Sequence, residues 1–97
     1  MKHLATLQNK SELTIQTSKI TQSLAVALER TQTPPFDLTI MVGDIEREFK
    51  KIPIEHIQKA IRNGSLGEYG RTYKFSTQEV CIWIRSYLES KKSKLGV

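Results

Sequence analysis

Gly64-Ser65-Leu66-Gly67-Glu68-Tyr69-Gly70 places three glycines in seven residues, between two segments of helical periodicity. Glycine reaches positive φ without a steric penalty, so the stretch reads as a turn joining helices. Before it, Pro53 suits the first position of a helix. Ile54, Ile57 and Ile61 give that helix a buried stripe, and Gly64 is placed just past its end. After it, Ser76-Thr77-Gln78-Glu79 has the Ser-x-x-Glu form of a capping box. Val80, Trp83, Ile84, Tyr87 and Leu88 then follow at i, i+3, i+4, i+7 and i+8, the best-marked helix of the chain.

Working outward, two more helical stripes appear. Leu38, Met41, Val42, Ile45 and Phe49 make one, with Asp37 as its N-cap and Lys50-Lys51 at the favourable end of its dipole. Gly43 interrupts that stripe at a cost of about 1 kcal/mol, or else admits a close helix neighbour. Ile20, Leu24, Ala27 and Leu28 make the other, capped by Thr17 or Ser18 and ended by Pro34 and Pro35. The predicted fold is all-α, a single domain of four helices at about 18–31, 37–50, 53–63 and 77–91. A Gly-rich loop precedes the last helix, with 71–75 left open to pairing as a short β-ribbon. Residues 1–17 are an arm or an extension of the first helix, 18–91 the helical domain and 92–97 a basic tail.

A chain of 97 residues holds one modest core. No apolar run approaches the length of a membrane span, the N-terminus has no apolar signal core, and Cys81 is the sole cysteine. A cytoplasmic protein is expected. Net charge is +5 and unevenly spread. Residues 1–48 hold five Lys/Arg against six Asp/Glu, and residues 49–97 hold ten against four. A basic half favours acidic partners, nucleic acid first.

Catalytic motifs are missing. Gly64, Gly67 and Gly70 fit neither the P-loop order nor the dinucleotide fingerprint. Two histidines and one cysteine are too few for a conventional zinc site, and no other cofactor is implied. Glu46 and Glu48, two apart, fall on different sides of a helix. Cys81 has no histidine near it in sequence and reads as an inert, partly buried thiol. His56 reads as a surface helix residue. A non-catalytic binding protein is expected. Its candidate contacts are Lys59, Arg62, Tyr69, Arg71, Tyr73, Lys74 and Arg85, cations for phosphates and tyrosines for stacking bases. Tyr69 is expected to point outward between Arg71 and Lys74. Phe75 is expected to turn inward, as is Trp83, and Tyr87 is expected in the core with its hydroxyl at the rim.

From Ile45 to Tyr87 the chain resembles small helical proteins of prophages and other mobile elements. The shared pattern is Ala60-x-x-x-Gly64, then Gly67-Glu68-Tyr69-Gly70, then Trp83-x-x-x-Tyr87. That resemblance implies a phage or mobile-element protein acting on a nucleoprotein machine through protein contacts, nucleic-acid contacts (RNA or DNA) or both. The machine would be a replication assembly that it assists, or a host defence effector such as a CRISPR complex that it inhibits. A second resemblance is to excisionase-like winged helix-turn-helix domains, through Gly64-Ser65-Leu66, Gly70-Arg71-Thr72-Tyr73-Lys74-Phe75 and the helix containing Trp83. It implies a sequence-specific DNA-binding protein whose recognition helix, Pro53 to Asn63, offers Glu55, His56, Gln58, Lys59 and Arg62 to the groove. The segment from Leu66 to Gly70 is short for a wing, and Glu55 would face phosphate with the wrong sign.

Overall fold

The computed structural model describes the backbone of residues 2–72 and 74–96, and the side chains of 15–72 and 74–91. It contains α1 (Lys2–Arg30), α2 (Thr39–Glu48), α3 (Ile54–Ser65) and α4 (Thr77–Gly96), with no strand among the described residues. The all-α reading therefore holds. The segment 2–17 is helix, continuous with the first predicted helix, and α4 runs on through most of the segment read as a basic tail.

Each predicted stripe becomes the buried face of its helix. Ile20, Leu24, Ala27 and Leu28 of α1 meet Met41, Val42 and Ile45 of α2, Ile57, Ala60 and Ile61 of α3, and Val80, Trp83, Ile84 and Tyr87 of α4. Leu38, Phe49 and Phe75 close the core from the connecting segments. Each fully buried aliphatic contributes about 1.5–3 kcal/mol relative to exposure. Phe75 turns inward as expected, edge-on to Trp83 at 5.9 Å between centroids, and Phe36 stacks edge-on behind it at 6.2 Å.

The helices close a ring of contacts. α1 packs on α3, α3 on α4, α4 on α2 and α2 on α1. α2 and α3 are therefore diagonal, each lying between α1 and α4 on opposite sides of the molecule. The α1–α3 and α3–α4 contacts are the extensive ones.

The helix ends show how the chain turns. Thr33 N–H donates to Leu28 C=O at 2.8 Å and Gln32 N–H to Glu29 C=O at 3.1 Å, the paired bonds of a Schellman motif. Gln32 takes the left-handed position with φ of 56°, where glycine is usual. The end of α3 repeats the motif. Glu68 N–H donates to Asn63 C=O and Gly67 N–H to Gly64 C=O, each at 3.0 Å, with Gly67 at φ of 89°. The residue that terminates α3 is thus Gly67, and the expectation for Gly64 is corrected. Gly64 lies within the helix, buried against α4. A Cβ there would sit 2.0 Å from Trp83 Cδ2, so its lack of a side chain is what lets the indole lie on α3. Gly43 admits no such neighbour: a Cβ would meet only Arg47 Nη1, at 3.7 Å. Ser76 caps α4 as read, accepting Glu79 N–H at 3.2 Å. Asp37 accepts both the N–H and the hydroxyl of Thr39, at 3.0 and 2.6 Å, at the start of α2.

Candidate functional site

The α1–α3 contact leaves a groove of about 330 Å³ lined by Ser23, Val26 and Arg30 of α1 and by Gln58, Lys59 and Arg62 of α3. The helical period explains the lining. Ser23, Val26 and Arg30 recur at i, i+3 and i+7, while Gln58, Lys59 and Arg62 recur at i, i+1 and i+4. Arg30 is fixed from behind: its Nη1 donates to Ser65 Oγ at 3.1 Å, and Ser65 Oγ donates to the Arg62 carbonyl at 2.8 Å. One small hydroxyl thus ties the end of α1 to the end of α3 and sets two guanidinium-bearing residues side by side. Arg30 and Arg62 also stand in the last turns of their helices, where the dipole favours cations. Among the described residues no carboxylate lies within 4.0 Å of the cationic groups of Arg30, Lys59 or Arg62. Three solvent-facing cations, one apolar side chain and two small polar groups make a surface suited to an anion with several charges.

The expected contacts divide. Lys59 and Arg62 come together in this groove, joined by Arg30, which the sequence reading passed over. The missed signal was a basic residue ending the first helix. Its meeting with residues 29 and 32 positions away depends on how α1 packs on α3. Arg85 lies elsewhere, on the α2–α4 side. Its Nη2 bonds Glu48 Oε1 at 2.9 Å and its guanidinium lies 5.7 Å from the centre of the Phe49 ring. Its charge is answered locally. Arg71 and Lys74 are exposed on the loop and do not line the groove. The expectation for Tyr73 lies outside the described residues. Tyr69, expected to point outward, is half-buried and packs on the core beside Asn63, in the last turn of α3. Asn63 Nδ2 donates to the Tyr69 hydroxyl at 3.4 Å.

A second cluster links α3 to α4. His56 Nδ1 lies 3.2 Å from the Tyr87 hydroxyl and 3.4 Å from Lys91 Nζ, and Lys91 Nζ sits 5.7 Å from the Tyr87 ring centre. An ammonium can only donate, so in the Lys91 contact Nδ1 is the acceptor. With the His56 and Tyr87 rings tilted at 5.6 Å, the cluster reads as a clamp between the two helices. Tyr87 has its ring in the core and its hydroxyl at the rim, as expected.

Cys81 is half-buried and free, and its thiol is pushed above the ordinary range by burial. Arg85 opposes that shift, while Glu48 and Asp44 add to it. The neutral thiol is the poor nucleophile. Among the described residues there is no group of three or more His, Cys, Asp or Glu side chains placed to hold a metal ion, and no helix long and apolar enough to cross a membrane.

No family model, curated protein or solved structure matches the chain.

Proposed function

We propose that this chain is a non-catalytic binding protein of a phage or other mobile element that engages a nucleoprotein complex through the phosphate backbone of its nucleic acid. The observation that carries the reading is the α1–α3 groove, where Arg30, Lys59 and Arg62 converge with no acid among the described residues within 4.0 Å of them. Arginine and lysine aimed at a common opening neutralise phosphates and release counterions. Ser23 and Gln58 add hydrogen-bonding groups beside them. The proposed target, in keeping with the resemblance over residues 45–87, is a replication assembly that the protein assists, or a defence effector such as a CRISPR complex that it inhibits.

One feature counts against the excisionase-type alternative. The described residues of 70–76 pair with no strand, so the wing has no ribbon to build on.

Titration of the nuclease-treated protein with labelled single- and double-stranded DNA and RNA, at several salt concentrations, tests the reading. Three phosphate contacts predict a fall in log affinity of roughly 2–3 per log unit of salt. Each of Arg30→Gln, Lys59→Gln and Arg62→Gln should lower that slope by about 1, and the triple variant should abolish binding. Circular dichroism melting controls for loss of the Arg30–Ser65 bond. No binding at low salt, or a triple variant that binds like the native chain, overturns the proposal and leaves a protein-only partner. A selection from random duplexes that returns a consensus would restore the excisionase-type reading.

A further inference from the structure

We infer that the face built from α2 and α4 is where two copies of this chain meet. On α2 the outward stripe is Ile40, Asp44 and Arg47, at i, i+4 and i+7; on α4 it is Gln78, Ile82 and Arg85 with the same spacing. Between them lies a shallow depression lined by residues of both helices, with the half-buried Cys81 in its floor. Ile40 is 78% exposed and Ile82 49% exposed, an arrangement that leaves apolar surface in water on neighbouring helices.

Charge identifies the occupant. Two copies of a chain of net charge +5 repel one another at long range. On this face the charges cancel: Arg47 pairs with Asp44 and Arg85 with Glu48. A two-fold contact requires a surface complementary to itself. A face whose charges are paired in two adjacent couples, beside exposed isoleucines, offers no net repulsion to a copy of itself. A standard interface takes about 800 Å² from each partner. That is about a ninth of the 7259 Å² surface. Because α2 and α3 are diagonal, the paired molecule keeps both α1–α3 grooves open. The inference does not rest on what those grooves bind.

Sedimentation equilibrium of the full chain, free of nucleic acid, tests it across a concentration series. The native protein should show a reversible monomer–dimer equilibrium. Ile40→Asp and Ile82→Asp should each weaken it about tenfold or more, and together leave a monomer. Both positions are exposed, so helical content and melting should persist. Leu66→Asp, at the exposed end of α3, should leave the dimer intact. A native protein that stays monomeric into the hundred-micromolar range overturns the inference. So does an association that survives the double substitution, or one abolished by Leu66→Asp instead.

Discussion

Single residues set the ends of these helices, and Asp37 is the one whose contribution depends on pH. Its carboxylate accepts two hydrogen bonds from Thr39, first from the hydroxyl and then from the backbone N–H, and these hold it below the ordinary carboxylate range despite slight opposition from desolvation. The folded-state value lies below the unfolded value, so the stabilisation is present above the unfolded value of about 3.8. It is lost as pH falls through the folded value. Asn keeps an oxygen acceptor without the charge. Melting temperatures of the native chain and of Asp37→Asn should therefore differ at pH 6, and the gap should narrow as pH falls below the unfolded value of about 3.8. A gap that stays constant would show that the carboxylate's charge does nothing for the start of α2. The preference for Asp at this position was legible, since a short acidic residue two places before a helix is a local signal. The use of Gln32 at a positive φ was not, because nothing in its neighbours marks a left-handed residue where glycine is expected.

At the level of the element, two glycines inside helices behave in opposite ways, and only packing tells them apart. Both interrupt a helix at a propensity cost of about 1 kcal/mol. At Gly43 the added methyl of alanine would meet only the flexible end of Arg47. Gly43→Ala should stabilise by about 1 kcal/mol and raise the melting temperature by about 4–8 °C. At Gly64 the same methyl would overlap the Trp83 indole, which is fully buried and in edge-on contact with Phe75. Gly64→Ala should cost about 3 kcal/mol. Replacing Trp83 with leucine in that background should recover part of the loss, and a double-mutant cycle by thermal and urea melting reads the coupling. Additive effects would mean that the close approach of α3 to α4 is not what Gly64 provides. The sequence shows the glycines and the stripes, since burial follows the helical period. It does not show which glycine faces another helix, because that depends on how the elements cross.

For the whole molecule, the decisive property is how charge is divided between opposite faces. The basic excess after Phe49 was legible by counting, and the count included Arg85. Its partner Glu48 is 37 positions away on another helix, so no local pattern reveals the pairing. Nor does any pattern in sequence bring Arg30 beside Lys59 and Arg62. Among the described residues, the fold therefore gathers Arg30, Lys59 and Arg62 on the α1–α3 side with no acid at salt-bridge distance, and pairs Arg47 and Arg85 with acids on the α2–α4 side. This division predicts that the double substitution Glu48→Gln with Arg85→Gln leaves nucleic-acid binding within about twofold of native. The substitution keeps the net charge constant, so the long-range field is unchanged. Both side chains are more than half exposed, so stability should fall by no more than about 1 kcal/mol. The measurement is affinity and salt slope on an oligonucleotide too short to hold two protomers, which removes any contribution from self-association. A tenfold loss of affinity with an intact fold would put Arg85 in contact with phosphate. The binding surface would then wrap onto the α2–α4 side, and the neutrality that makes that side a meeting place for two copies would be lost whenever nucleic acid is bound.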